Sequence, residues 1–180
     1  MLLSRVAALA GLLALLMVGT ACSTSPSKAA AGVTTVYLVR HAEKHSDSRD
    51  PHLTDAGRAR AEALAARLDG ESLTAILTTN YQRTRETAAP VSKRQGIKPR
   101  FYDPGRLPEL ALSLQQQNGA ILVVGHSNTT ARLAELLGAP DFGRINEANE
   151  HDRLYVLALE GDRLISARLE RYGKRKVPIS

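Results

Sequence analysis

Two apolar runs in the chain end in the same way. Val36-Tyr37-Leu38-Val39 is followed by Arg40-His41, and Ile121-Leu122-Val123-Val124 is followed by Gly125-His126. An unbroken apolar run of this length suits a parallel strand covered on both faces. Each run therefore predicts a buried strand that stops at a histidine. Ligands of open α/β sheets bind in the crevice outside the carboxyl ends of the strands, so parallel neighbours would bring both imidazoles to one crevice.

The pattern between these runs alternates helix and strand. In "LTDAGRARAEALAARL", Thr54 is a candidate N-cap, and Ala61, Leu64, Ala65 and Leu68 follow at the spacing of an amphipathic helix. "LTAILTT" predicts a short strand, and Tyr81 to Gln95 a helix bent at Pro90, whose ring removes a backbone donor. "IKPRFYD" predicts a strand that Pro99 confines to an edge. Leu110 to Gln117 predicts a helix leading into the second apolar run. Asn128 to Leu137 predicts another, with Leu133, Leu136 and Leu137 inward and Gly138 at its C-terminal cap. "RLYVLALEGDRLISARLE" reads as two strands about Gly161-Asp162. The fold class expected is α/β: a three-layer α/β/α sandwich with a mainly parallel sheet and a C-terminal antiparallel hairpin.

The ends of the chain differ from this core. Residues 1–21 carry one charge, Arg5, then an apolar stretch from Val6 to Val18 and small residues up to Cys22, the layout of a secretory signal. Small residues directly before Cys22, the chain's only cysteine, resemble the lipobox of bacterial lipoproteins, although Gly19 stands where a Leu is usual. That resemblance implies lipidation of Cys22, a membrane partner through that anchor, and an exported protein of the cell envelope, periplasmic if the cell is Gram-negative. Residues 22–32 read as the anchor and a flexible tether, 33–172 as the folded domain and 173–180 as a basic, solvated tail. The net charge of +6 is dispersed among acids, and there is no Trp, so no nucleic-acid partner is expected.

Arg40, His41, Arg83 and His126 set two guanidinium forks beside two imidazoles, which suits a tetrahedral dianion. A neutral imidazole has a free lone pair and can itself be the nucleophile. "VRHAE", "LTDAGRARA", "RTRETA" and "VVGHSN" resemble, in order and spacing, the histidine phosphatase superfamily that also contains the phosphoglycerate mutases. The resemblance implies that His41 is phosphorylated, that Arg40, Arg83 and His126 bind the phosphate, and that Arg85 occupies a variable position. It also implies a proton-donating acid. Glu109 in "LPEL" is the expected donor, with Glu43 its rival and a first-turn helix acid its structural alternative. Asp47 stands where many members have Asn, so no phosphate contact is assigned to it.

No cofactor is expected. "HAEKH" lacks the Glu that follows the first His directly in the zinc-protease helix motif, and it follows a strand, which argues against a metal site; no glycine-rich nucleotide loop occurs. The short stretch from Arg83 to His126 leaves little chain for a lid, which favours hydrolysis over mutase action. The expectation is a metal-independent phosphatase acting on phosphorylated small molecules or peptides through phosphohistidine on His41. A catalytically idle envelope module that binds phosphorylated ligands, or a phosphohistidine-protein phosphatase, is the alternative.

Overall fold

The computed structural model describes residues 32–174. The signal segment, Cys22, most of the tether and all but the start of the basic tail lie outside these residues. Six strands form one sheet: β1 (Val33–Arg40), β2 (Leu73–Thr78), β3 (Arg100–Phe101), β4 (Gly119–Gly125), β5 (Arg153–Glu160) and β6 (Arg163–Arg171). Their spatial order is β3-β2-β4-β1-β5-β6. The first four pair in parallel, while β5 runs antiparallel to both β1 and β6. The four helices are α1 (Asp55–Arg67), α2 (Gln82–Gln95), α3 (Leu107–Gln115) and α4 (Ser127–Leu136).

Alternation along the central strands divides the core into two layers. Val36, Leu38, Ile121 and Val123 pack with Ala111 and Leu114 of α3 and Leu133 and Ala134 of α4. Tyr37, Val39, Leu122 and Val124 face the other way, onto Leu64 and Ala65 of α1 and Ala88 and Val91 of α2. The architecture is therefore the expected three-layer sandwich, with the closing hairpin continuing the sheet.

Thr54 caps α1 by accepting the Gly57 amide at 3.1 Å. Helix α2 continues through Pro90, and Gly96 ends it in the left-handed region. Helix α3 begins at Leu107, three residues before the expected start, because Pro108 in its first turn needs no amide partner. His126 is itself the N-cap of α4. Strand β3 has two residues, fewer than its sequence promised, and lies at the edge, as Pro99 requires.

The register places the site. Arg40 pairs with Gly125, and the His41 amide donates to the Gly125 carbonyl at 2.9 Å. Both strand-end histidines thus leave the sheet side by side. Gly125 is needed there, since a side chain would run into the Tyr102 and Thr129 hydroxyls. The connection from α4 to β5, residues 137–152, returns over this end of the sheet. Arg153 holds it from below, donating to the carbonyls of Phe142, Gly143 and Arg144 and to the Glu150 carboxylate.

Candidate active site

The His41 and His126 rings lie 5.6 Å apart, edge to face. His41 is buried, and its Nδ1 is 2.8 Å from the Ala42 carbonyl. A carbonyl only accepts, so Nδ1 carries the proton and Nε2 keeps its lone pair. Burial, together with the charges of Arg40 and Arg83 and the neighbouring His126, pushes the His41 pKa down to about 3. The ring is therefore neutral at ordinary pH.

His126 has the opposite tautomer. Thr84 donates its hydroxyl proton to the carbonyls of Thr79 and Tyr81, each 2.9 Å away. Its oxygen therefore accepts from Thr79 Oγ1 at 3.0 Å, which leaves the Thr79 oxygen to accept from His126 Nε2, also at 3.0 Å. The neutral His126 ring thus presents a donor where His41 presents a lone pair. Burial, then the charges of Arg83 and Arg40, lower its pKa to about 4.

Two arginines complete the cluster. Arg40 is buried at the end of β1, and its Nη1 donates to the carbonyls of Glu147 and Glu150 at 3.0 and 3.2 Å. Arg83, in the first turn of α2, lies 3.7 Å from Asp50 through Nη1 and stacks on the Tyr81 ring at 4.3 Å. The Nε atoms of both arginines are buried donors without a partner among the described residues. A planar fork with an open donor edge is the arrangement that receives a phosphoryl oxygen.

Neither candidate acid is held free against this cluster. Glu109, in the first turn of α3, is exposed and pairs with Arg106 at 3.1 Å. Its own backbone amide and Arg106 keep its carboxyl below the usual range. Among the described residues no hydrogen bond or ion pair joins it to His41, Arg40, Arg83 or His126. Glu43 is buried and clasped by Arg60, whose Nε and Nη2 lie 2.7–3.0 Å from its two oxygens. Burial works to raise the Glu43 pKa, but the bonds from Arg60 outweigh it and hold the group ionised.

Several site residues carry no distinctive sequence signal. Thr87, within "RTRETA", accepts the Ala42 amide at 2.9 Å and donates to the Arg83 carbonyl at 2.6 Å, joining the loop after β1 to α2. His151 is buried with its ring 5.9 Å from that of His41, and its Nδ1 donates to the His41 carbonyl at 3.0 Å. Asp50, three residues beyond the exposed Asp47, caps α2 from outside by accepting the Gln82 amide at 2.8 Å. Arg85 turns away from the cluster to bond Asn80 and Gln82.

Residues 36–110 match the model of the histidine phosphatase superfamily (branch 1). A protein of Photorhabdus laumondii named "Probable phosphoglycerate mutase GpmB" is 32% identical over 128 residues, covering 67% of this chain and 58% of that protein. The mitochondrial serine/threonine-protein phosphatase Pgam5 of Caenorhabditis briggsae is 32% identical over 84 residues, 46% of this chain and 27% of its own length. The alignments thus span well under two thirds of these relatives. Among solved structures, a mycobacterial glucosyl-3-phosphoglycerate phosphatase superposes with a TM-score of 0.60 at 16% identity, covering 78% of this chain and 98% of that one. The protein histidine phosphatase SixA, in complex with tungstate, gives a TM-score of 0.60 at 15% identity, with 77% and 95% covered. At these identities the structural likeness speaks for the fold. Over residues 36–110 the chain is similar to the histidine phosphatase superfamily, a likeness that the curated relatives share and with which the fold is consistent.

Proposed function

We propose that the protein is a metal-independent phosphatase that hydrolyses phosphomonoesters through a phosphohistidine on His41. The observation that carries this reading is the pairing of a neutral His41, free at Nε2, with the buried Arg40 and the partly buried Arg83, whose Nε donors have no partner among the described residues. His41 Nε2 attacks phosphorus in line as the bond to the leaving oxygen breaks. Charge on the phosphoryl oxygens is met by Arg40 and Arg83, and by His126 once its Nε2 proton turns from Thr79 Oγ1 to the phosphoryl group. Water then attacks phosphorus, the N–P bond breaks, its electrons return to His41 as the lone pair, and the water proton passes to solvent or phosphate.

Two arginines and an oriented imidazole donor supply the positive field that a metal gives other phosphatases. Glu109 would have to release Arg106 before serving as the acid of this cycle. Export and tethering through Cys22, as residues 1–22 suggest, belong to the same proposal.

The test is turnover of nitrophenyl phosphate by the purified chain in EDTA. The proposal expects turnover that survives chelation and disappears in His41→Ala. Activity that needs added Zn²⁺ or Mg²⁺, or that persists in His41→Ala, would overturn it.

A further inference from the structure

Tyr81 stands where the phosphate cluster meets solvent, and nothing in the mechanism above uses it. Four rings follow one another through the site. Tyr81 lies 5.3 Å from His126, His126 lies 5.6 Å from His41, and His41 lies 5.9 Å from His151. His41 and His151, at the inner end, are buried, whereas Tyr81 is 39% exposed. Its ring meets His126 at 86° and carries the Arg83 guanidinium over it.

The corner that bears Tyr81 is bolted down. The Tyr81 carbonyl accepts from the Thr84 hydroxyl and the Arg85 amide, and Asp50 holds the next residue's amide. An exposed aromatic on fixed backbone loses little entropy when a second flat ring is laid against it.

The state of the carboxylates points to the same class of substrate. Glu43 is clasped by Arg60, and Glu109 lies exposed and paired with Arg106, so in this arrangement neither is placed to hand a proton to a departing oxygen. An alkoxide leaves poorly without that proton. An aryl oxide, whose parent phenol has a pKa near ~10, leaves far more readily.

Resting on the phosphatase reading, we infer that Tyr81 is the leaving-group platform of this site and that the enzyme's substrates are phosphate monoesters of aromatic hydroxyl groups. The ring of the ester lies against Tyr81 while its phosphoryl group sits among His41, Arg40, Arg83 and His126. The P–O bond breaks with its electrons on the aryl oxygen, which takes its proton from water.

The experiment compares phenyl phosphate with hexafluoroisopropyl phosphate, whose alcohol is acidic but not aromatic, so that stacking is read apart from leaving-group acidity. The ratio of kcat/KM for the two esters should fall about three- to tenfold in Tyr81→Leu and stay near the wild-type value in Tyr81→Phe, the scale of one aromatic contact. Tungstate inhibition, measured alongside, reports whether Arg83 still holds the phosphate pocket. If both esters and tungstate weaken by one common factor in Tyr81→Leu with the ratio unmoved, Tyr81 only positions Arg83 and the platform is overturned. Failure of the wild-type chain to turn over either ester would overturn the phosphatase reading beneath it.

Discussion

Arg60 and Arg40 are both buried and flank the same short loop, yet their surroundings are opposite. Every nitrogen of the Arg60 guanidinium is engaged: Nε and Nη2 by the Glu43 carboxylate, Nη1 by the Tyr172 carbonyl and Nη2 also by that of Lys174. Among the described residues Arg40 is engaged only through Nη1, and its Nε, like that of Arg83, has no partner. A buried donor left without an acceptor costs stability, so a fold that keeps two such donors beside two imidazoles sacrifices stability for binding. The closed arginine ties α1, the loop after β1 and the chain after β6 together. In the proposed reaction the open ones receive the phosphoryl group.

The largest effect should follow from opening the closed arginine. Arg60→Met leaves the Glu43 carboxylate buried without a partner, which should lower unfolding stability in urea by about 3–5 kcal/mol. The double variant Arg60→Met with Glu43→Gln should recover much of that loss. Equal stability of the single and double variants would mean that the pair is not the fastening described here.

Deleting an open arginine should do the reverse. Arg83→Ala should raise the activation barrier by about 3 kcal/mol, with kcat lower by about a hundredfold, while stability changes little. Arg85→Ala, whose bonds go to Asn80 and Gln82, should leave both quantities nearly unchanged. Similar rate losses in the two variants would place the wrong arginine in the pocket.

A smaller effect is visible in titration. With their pKa values lowered to about 3 and about 4, the rings of His41 and His126 should hold their neutral NMR shifts from neutral pH down to pH 5. Unfolded imidazoles take up protons near pH ~6.5, and the folded rings refuse them until the pH is far lower. Stability should therefore be level above that pH and fall as the pH drops below it toward the folded values. Titration of either ring near pH 6.5 in the folded protein would show that burial and the open arginines do not set its charge.

What could be read beforehand follows the range of the contacts. The two strand ends, the Thr54 cap and the Gly161 turn are local patterns, and they placed the sheet, α1 and the hairpin. Arg40, His41 and His126 were legible because the strand-end rule and the motif resemblance met on them, and Arg83, in a helix, through the resemblance. The engagement of Glu43 was not, because in sequence Arg60 looks like one more solvated charge on an amphipathic helix. Nor was the strap over Arg40. Its carbonyls at Glu147 and Glu150, and the ring of His151, come from more than a hundred residues away through the α4–β5 connection. The carbonyls that cover Arg40 lie beyond His126, outside the short stretch from Arg83 to His126.

The central claim is that His41 Nε2 carries the phosphoryl group between two displacements. Rapid mixing with phosphate-labelled nitrophenyl phosphate, a quench into alkali to preserve phosphohistidine, and peptide mass spectrometry address it most directly. The label should appear on His41 within one turnover and be absent from His126, His151 and every Ser or Asp. Label on any of those residues, or burst-free turnover that leaves His41 unlabelled at every quench time, would contradict it.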